Sequence, residues 1–170
     1  PDVKLMGVVA FAPVTDESKS MKLWNSFGVA QDNWWLAFAY SSFYPDVKLE
    51  ESFDSRALDS VRRMSKFCAI DPAPFAEEFA KFGGAPPLAD LTKGALGKRM
   101  EENIPTAAIA SPLLVVQGLS DDIIGPSVTD GYVQGRCAAG QTLDYWIFPG
   151  ATHGSLLLNS SLYRPLMEWT

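Results

Sequence analysis

Pro112 to Pro126 reads PLLVVQGLSDDIIGP, and this stretch decides the fold. Leu113, Leu114, Val115 and Val116 form a short continuous apolar run, entered through Pro112 and left at Gln117-Gly118. A run of that length without polar alternation is the pattern of a strand buried on both faces of a largely parallel sheet. Ser120, Asp121 and Asp122 then fall just past the carboxyl end of the strand, where ligands bind in open α/β sheets.

Towards the C-terminus, Pro126 to Ala139 reads as a crossover helix, with Val128, Tyr132, Val133 and Cys137 near one face and Gly140 as its terminator. Gly131 and Gly135 weaken that helix in isolation and are expected to let its backbone approach the sheet closely. Thr142 to Phe148 follows as a strand. It places Leu143, Tyr145 and Ile147 on one face and Thr142, Asp144, Trp146 and Phe148 on the other, and Pro149-Gly150 ends it. Strand, helix and strand in that order imply parallel pairing and a right-handed connection. Towards the N-terminus, Leu5 to Ala12, LMGVVAFA, is another buried-strand run, closed by Pro13. The fold class is α/β.

Residues 16–107 differ in character, with helical periods and no strand pattern. Met21, Leu23, Trp24 and Phe27 suggest one short helix. Asp32 is placed to cap another through Trp34, Trp35, Leu36, Phe38, Ala39, Tyr40 and Phe43. Leu58, Val61, Met64 and Phe67 recur in a third, with Arg62-Arg63 on its wet face. Asp71-Pro72 opens a fourth, with a stripe of Phe75, Phe79 and Phe82 and Glu77 spaced to pair with Lys81, before Gly83-Gly84 stops it. A weaker helical turn runs from Leu91 to Met100. About ninety residues of helix between neighbouring strands exceed an ordinary connection, so residues 16–107 are expected to be a cap or lid subdomain inserted into a core of 1–15 and 108–170.

The net charge of −6 argues against a nucleic-acid partner or an anionic membrane surface, which need a basic field. No run approaches the ~18 apolar residues of a membrane span. Pro1-Asp2-Val3-Lys4 has neither an initiator Met nor a signal-peptide pattern, so the chain is expected to begin mid-protein. Cys68 and Cys137 are too few for a zinc constellation; they are a disulfide or free thiols, and a disulfide would imply export from the cytosol.

His153, the single histidine, sits in Phe148 to Ser155, FPGATHGS, also just after a strand. Two adjacent strand-end loops can bring a carboxylate and an imidazole within hydrogen-bond reach. The carboxylate would fix the tautomer, and the imidazole would take and return a proton. Either Asp121 or Asp122 can supply the carboxylate. A lone histidine is by itself as readily a structural side chain; the order of acid before base, separated by one helix and one strand, favours catalysis. A metal site on Asp121, Asp122 and His153 is disfavoured for want of a second histidine.

VVQGLSDDIIGP, the helix ending near Cys137-Ala138-Ala139-Gly140, the next strand and GATHGS resemble the C-terminal part of α/β-hydrolases. More narrowly they resemble the secretory, lipase A-like family, in which a strand similar to LMGVVAFAPVTD precedes a large helical cap and the acid and histidine loops come last. The resemblance covers nearly the whole chain in order. It implies a carboxylic ester hydrolase, a lipase with no cofactor and no metal, with Asp121 as acid and His153 as base. Asp121 is favoured over Asp122 because it follows Gly118 at the offset of hydrolase acid loops. It also implies a lipophilic ester substrate and a secreted or extracytoplasmic location.

The departure from the family lies in the nucleophile. No G-x-S-x-G occurs, and Ser155 in HGS is expected only to cap a turn into Leu156-Leu157-Leu158. The serine is therefore expected in a missing N-terminal part, without which this segment should be inactive. Trp34, Trp35, Phe38, Tyr40, Phe43 and Tyr44 are expected mostly to form the cap's own core, with a minority facing an acyl site. An esterase or acyl peptidase of the same fold, and a noncatalytic hydrolase-like binding module, are the alternatives.

Overall fold

The computed structural model describes residues 4–27, 30–67, 73–82 and 90–169. In chain order the elements are β1 (Val8–Phe11), α1 (Glu17–Phe27), α2 (Ala30–Phe43), α3 (Leu49–Ser52), α4 (Leu58–Met64), α5 (Ala73–Ala80) and α6 (Gly94–Glu102). They continue with β2 (Leu113–Gly118), α7 (Pro126–Ala138), β3 (Asp144–Phe148), α8 (His153–Leu157) and α9 (Ser160–Trp169). The chain divides into two compact units, Pro1–Leu23 with Ile104–Thr170, and Trp24–Asn103.

The first unit is built on a parallel sheet in the order β1-β2-β3. Val8 lies opposite Leu113 and Phe11 opposite Val116, while Leu114 lies opposite Asp144 and Gly118 opposite Phe148. Among the described residues only β2 has a strand on each side, and all its residues are buried, as its apolar run requires. The expected strand from Leu5 is shorter in the structure. Leu5 and Met6 stand 63% and 64% exposed, because pairing begins only where Val8 N–H meets the Pro112 carbonyl. The third strand starts at Asp144 rather than Thr142, where its register with β2 begins. Leu143 and Tyr145 pack with Leu113, Val115 and Val133, whereas Ile147, expected on the same face, is exposed.

Helix α7 packs on β2. Its buried residues are Val128, Thr129, Val133 and Arg136, which fall within one arc at about 100° per residue. Cys137 lies outside that arc and is an exposed free cysteine, which corrects its assignment to the inner face. Arg136 takes the inner place because its guanidinium donates to the carbonyls of Thr106 and Ala107 and to Gln141 Oε1, which offsets burial of the charge. Gly131 and Gly135 do not face the sheet: nothing lies within 4 Å of where their Cβ atoms would stand. Tyr145 donates to Asp130 Oδ1 at 2.5 Å, and burial pushes its hydroxyl well above the usual range.

In the second unit α2 packs against α3, α4 and α6, and α4 against α5. Trp34 is buried, with Phe53 and Phe79 edge-on at 5.4 Å each, an arrangement aromatic quadrupoles favour. Trp35 is half-buried, meets Phe75 edge-on and donates Nε1–H to the Met64 carbonyl. Tyr40 stacks on Tyr44, whose ring also lies under Arg99. Phe38 is half-buried, and Phe43 is 77% exposed.

Asp32 stands inside the first turn of α2 rather than at its cap, and burial raises its pKa. Lys81 pairs with Glu78 at 2.6 Å instead of with Glu77, which is exposed. Arg62 and Arg63 are exposed, as a wet face requires, and Arg63 also forks onto both oxygens of the same buried Glu78 at 2.9 and 3.0 Å. The Arg63 hydrogen bonds, followed by that of Lys81, hold the Glu78 carboxyl down at about 2. Cys68, Asp71-Pro72, Gly83-Gly84 and the side chains of Leu23 and Phe27 lie outside the described residues.

Candidate active site

Parallel pairing brings the carboxyl ends of β2 and β3 to one edge of the sheet. The loops that follow are stitched together by backbone hydrogen bonds: Leu119 N–H donates to the Phe148 carbonyl and Ser120 N–H to the Ala151 carbonyl, each at 3.0 Å. Gly118 permits that approach, since a Cβ there would stand 2.3 Å from the Ala151 oxygen. Gly150, at φ 74°, turns the chain back after β3 in a conformation that side chains rarely adopt.

Asp121 is buried on this edge. Its Oδ1 accepts from the backbone N–H groups of Ile123 at 3.0 Å and Ile124 at 2.8 Å, and its Oδ2 lies 2.9 Å from His153 Nδ1. Gln117 Nε2 approaches the same Oδ2 at 3.4 Å. Donors on both oxygens suit the carboxylate, which can only accept. An ionised carboxylate partner makes Nδ1 the donor in this contact and leaves Nε2 outside it. The Asp121 side chain has no exposed area, while that of His153 is 35% exposed, so the imidazole is reachable and the carboxylate is not.

His153 opens α8, and a reciprocal cap fixes its backbone. Thr152 Oγ1 accepts from Ser155 N–H at 3.2 Å, and Thr152 N–H donates to Ser155 Oγ at 2.8 Å. Ser155 is thus engaged in the cap. Asp122 is exposed, and among the described residues no group of three or more His, Cys, Asp or Glu side chains is placed to hold a metal ion. Gln117 is the residue that sequence reasoning missed: it read as the polar exit of a strand, and its reach to Asp121 depends on the folded loop.

No family model matches the sequence, and no curated protein matches it by sequence. By structure, the chain is similar to the X-ray structure of Candida antarctica lipase A, with a TM-score of 0.66 over 87% of the chain at 12% identity. Over the matched part the chain shares the fold of that lipase, in accord with the expected α/β-hydrolase architecture. An X-ray structure of the same lipase in its closed state gives a TM-score of 0.61 over 87% of the chain at 13% identity. The chain spans 37% of the length of either lipase chain. Among the described residues no helix is long and apolar enough to cross a membrane.

Proposed function

We propose that this chain carries the acid and the base of a serine hydrolase acting on lipophilic carboxylic esters, with the nucleophile supplied by a segment outside residues 1–170. The observation that carries the reading is the 2.9 Å contact between a buried, doubly donated carboxylate and a reachable imidazole at the carboxyl edge of a parallel sheet. In the proposed reaction His153 Nε2 takes the serine proton as the serine attacks the ester carbonyl, and Asp121 stabilises the imidazolium through Nδ1–H. The imidazolium then protonates the departing alcohol. Water enters by the same base and releases the acid. The likeness to a lipase in fold supports the ester and lipophilic parts of the reading, with residues 16–107 as the helical cap. Export from the cytosol belongs to the same proposal and follows from the family resemblance.

Labelling the intact polypeptide with a fluorophosphonate, followed by peptide mass spectrometry, tests the reading. The adduct is expected on a serine outside residues 1–170, and His153→Ala should abolish it. An adduct on Ser155, or labelling at the parent rate in the His153→Ala protein, contradicts the reading.

A further inference from the structure

Gln117 is a wholly buried polar residue in the otherwise apolar central strand, and every polar atom of its side chain is engaged. Its Nε2 donates to the carbonyls of Gly118 at 3.0 Å and Ile124 at 3.1 Å and approaches Asp121 Oδ2 at 3.4 Å. Its Oε1 accepts from Thr129 Oγ1 of α7 at 2.7 Å. A flipped amide would set an oxygen against three oxygens, so these neighbours decide which end is nitrogen.

We propose that Gln117, oriented by Thr129, is a positioning residue that holds the Asp121 carboxylate against His153; this rests on the reading of those two residues as acid and base. Gly118 and Ile124 stand at the two ends of the acid loop, and one amide nitrogen ties both. The carboxylate cannot swing away from Nδ1 without that loop opening and leaving buried carbonyls unpaired. The approach of Nε2 to Oδ2 also leaves the remaining acceptor direction of that oxygen for the imidazole. Thr129 joins this clamp to the helix that follows the loop, so the acid is braced from the strand before it and the helix after it.

His153 is the only histidine in residues 1–170, and in the imidazole 15N–1H NMR spectrum of the intact polypeptide its ring is assigned as the signal missing from His153→Ala. Gln117→Met keeps side-chain length and removes the donors. Thr129→Val keeps shape and removes only the orienting hydroxyl, and Thr129→Ser returns it. The parent should show a hydrogen-bonded Nδ1 proton. In Gln117→Met the ratio of the Nδ1–H to the Nε2–H tautomer should fall by about tenfold or more, the effect of a lost hydrogen bond to a charged group. Thr129→Val should lower it less, and Thr129→Ser should restore it. If Gln117→Met does not fold, Thr129→Val decides. Folded variants that keep the parent ratio and Nδ1 signal overturn the positioning role and leave the acid–base reading standing. A parent spectrum without an Nδ1 proton overturns that reading, and this inference with it.

Discussion

Replacing Gly118 with alanine tests how the two loops are held together. The new Cβ would stand 2.3 Å from the Ala151 oxygen, 2.9 Å from the Ala151 carbonyl carbon and 3.2 Å from its Cβ. Ordinary contact begins at 3.4 Å, so the carbonyl must retreat from 2.3 to 3.4 Å, a shift of 1.1 Å. The obstructing atoms are backbone, so no rotamer change absorbs the shift. The Ser120 N–H bond to that carbonyl is lost first, and Thr152 and His153 follow one and two residues on. Half of the shift, passed to the imidazole, carries the 2.9 Å contact with Asp121 beyond the roughly 3.2 Å reach of an N–H···O bond. Overpacking of this kind costs about 1–3 kcal/mol, and a misplacement near 1 Å costs about 10²-fold in turnover. The assay is a denaturant melt of the intact polypeptide with the His153 Nδ1 proton as reporter, together with its kcat. Gly118→Ala with parent stability and an unchanged Nδ1 signal would refute the reasoning.

Thr152→Ala removes the cap of α8 and should cost about 1 kcal/mol, seen as faster amide exchange through His153–Leu157. Leu156→Ala empties a fully buried position in that helix and should cost about 2–5 kcal/mol in a denaturant melt. Glu78 predicts a pH dependence in the second unit. Its folded pKa is depressed to about 2 from 4.5, so its stabilising effect is complete above about 4.5 and is lost as pH falls towards about 2. Glu78→Gln should lower stability at neutral pH and flatten that acid limb in melts run between those values; an unchanged limb would show that the Arg63 fork contributes nothing.

What was legible in the sequence was what short-range pattern dictates. Leu113 to Val116 announced a central strand because an apolar run without alternation can satisfy only a two-sided burial, and Pro126 and Gly140 bracketed α7 by backbone preference. That Asp121 and His153 end up in contact was legible because parallel strands put both following loops on one edge. The rest depends on distant partners. Cys137 follows Val133 by four residues and so seemed to share its face, but the arc is centred nearer Arg136, whose burial rests on carbonyls of Thr106 and Ala107 some thirty residues earlier. Lys81 can reach back three or four residues on a helix, and spacing alone does not reveal that Glu78 is the carboxylate Arg63 also holds. Gln117 carried no signal of its own, since a glutamine at a strand end is ordinary until the loop folds over it.

The pairing of Asp121 with His153 as acid and base is tested most directly by the rate at which the intact polypeptide hydrolyses a short-chain nitrophenyl ester when either residue is replaced. The account predicts that His153→Ala abolishes turnover and that Asp121→Asn, which spoils the tautomer while keeping the shape, lowers kcat by about 10⁴-fold. Hydrolysis at the parent rate by either folded variant would contradict it.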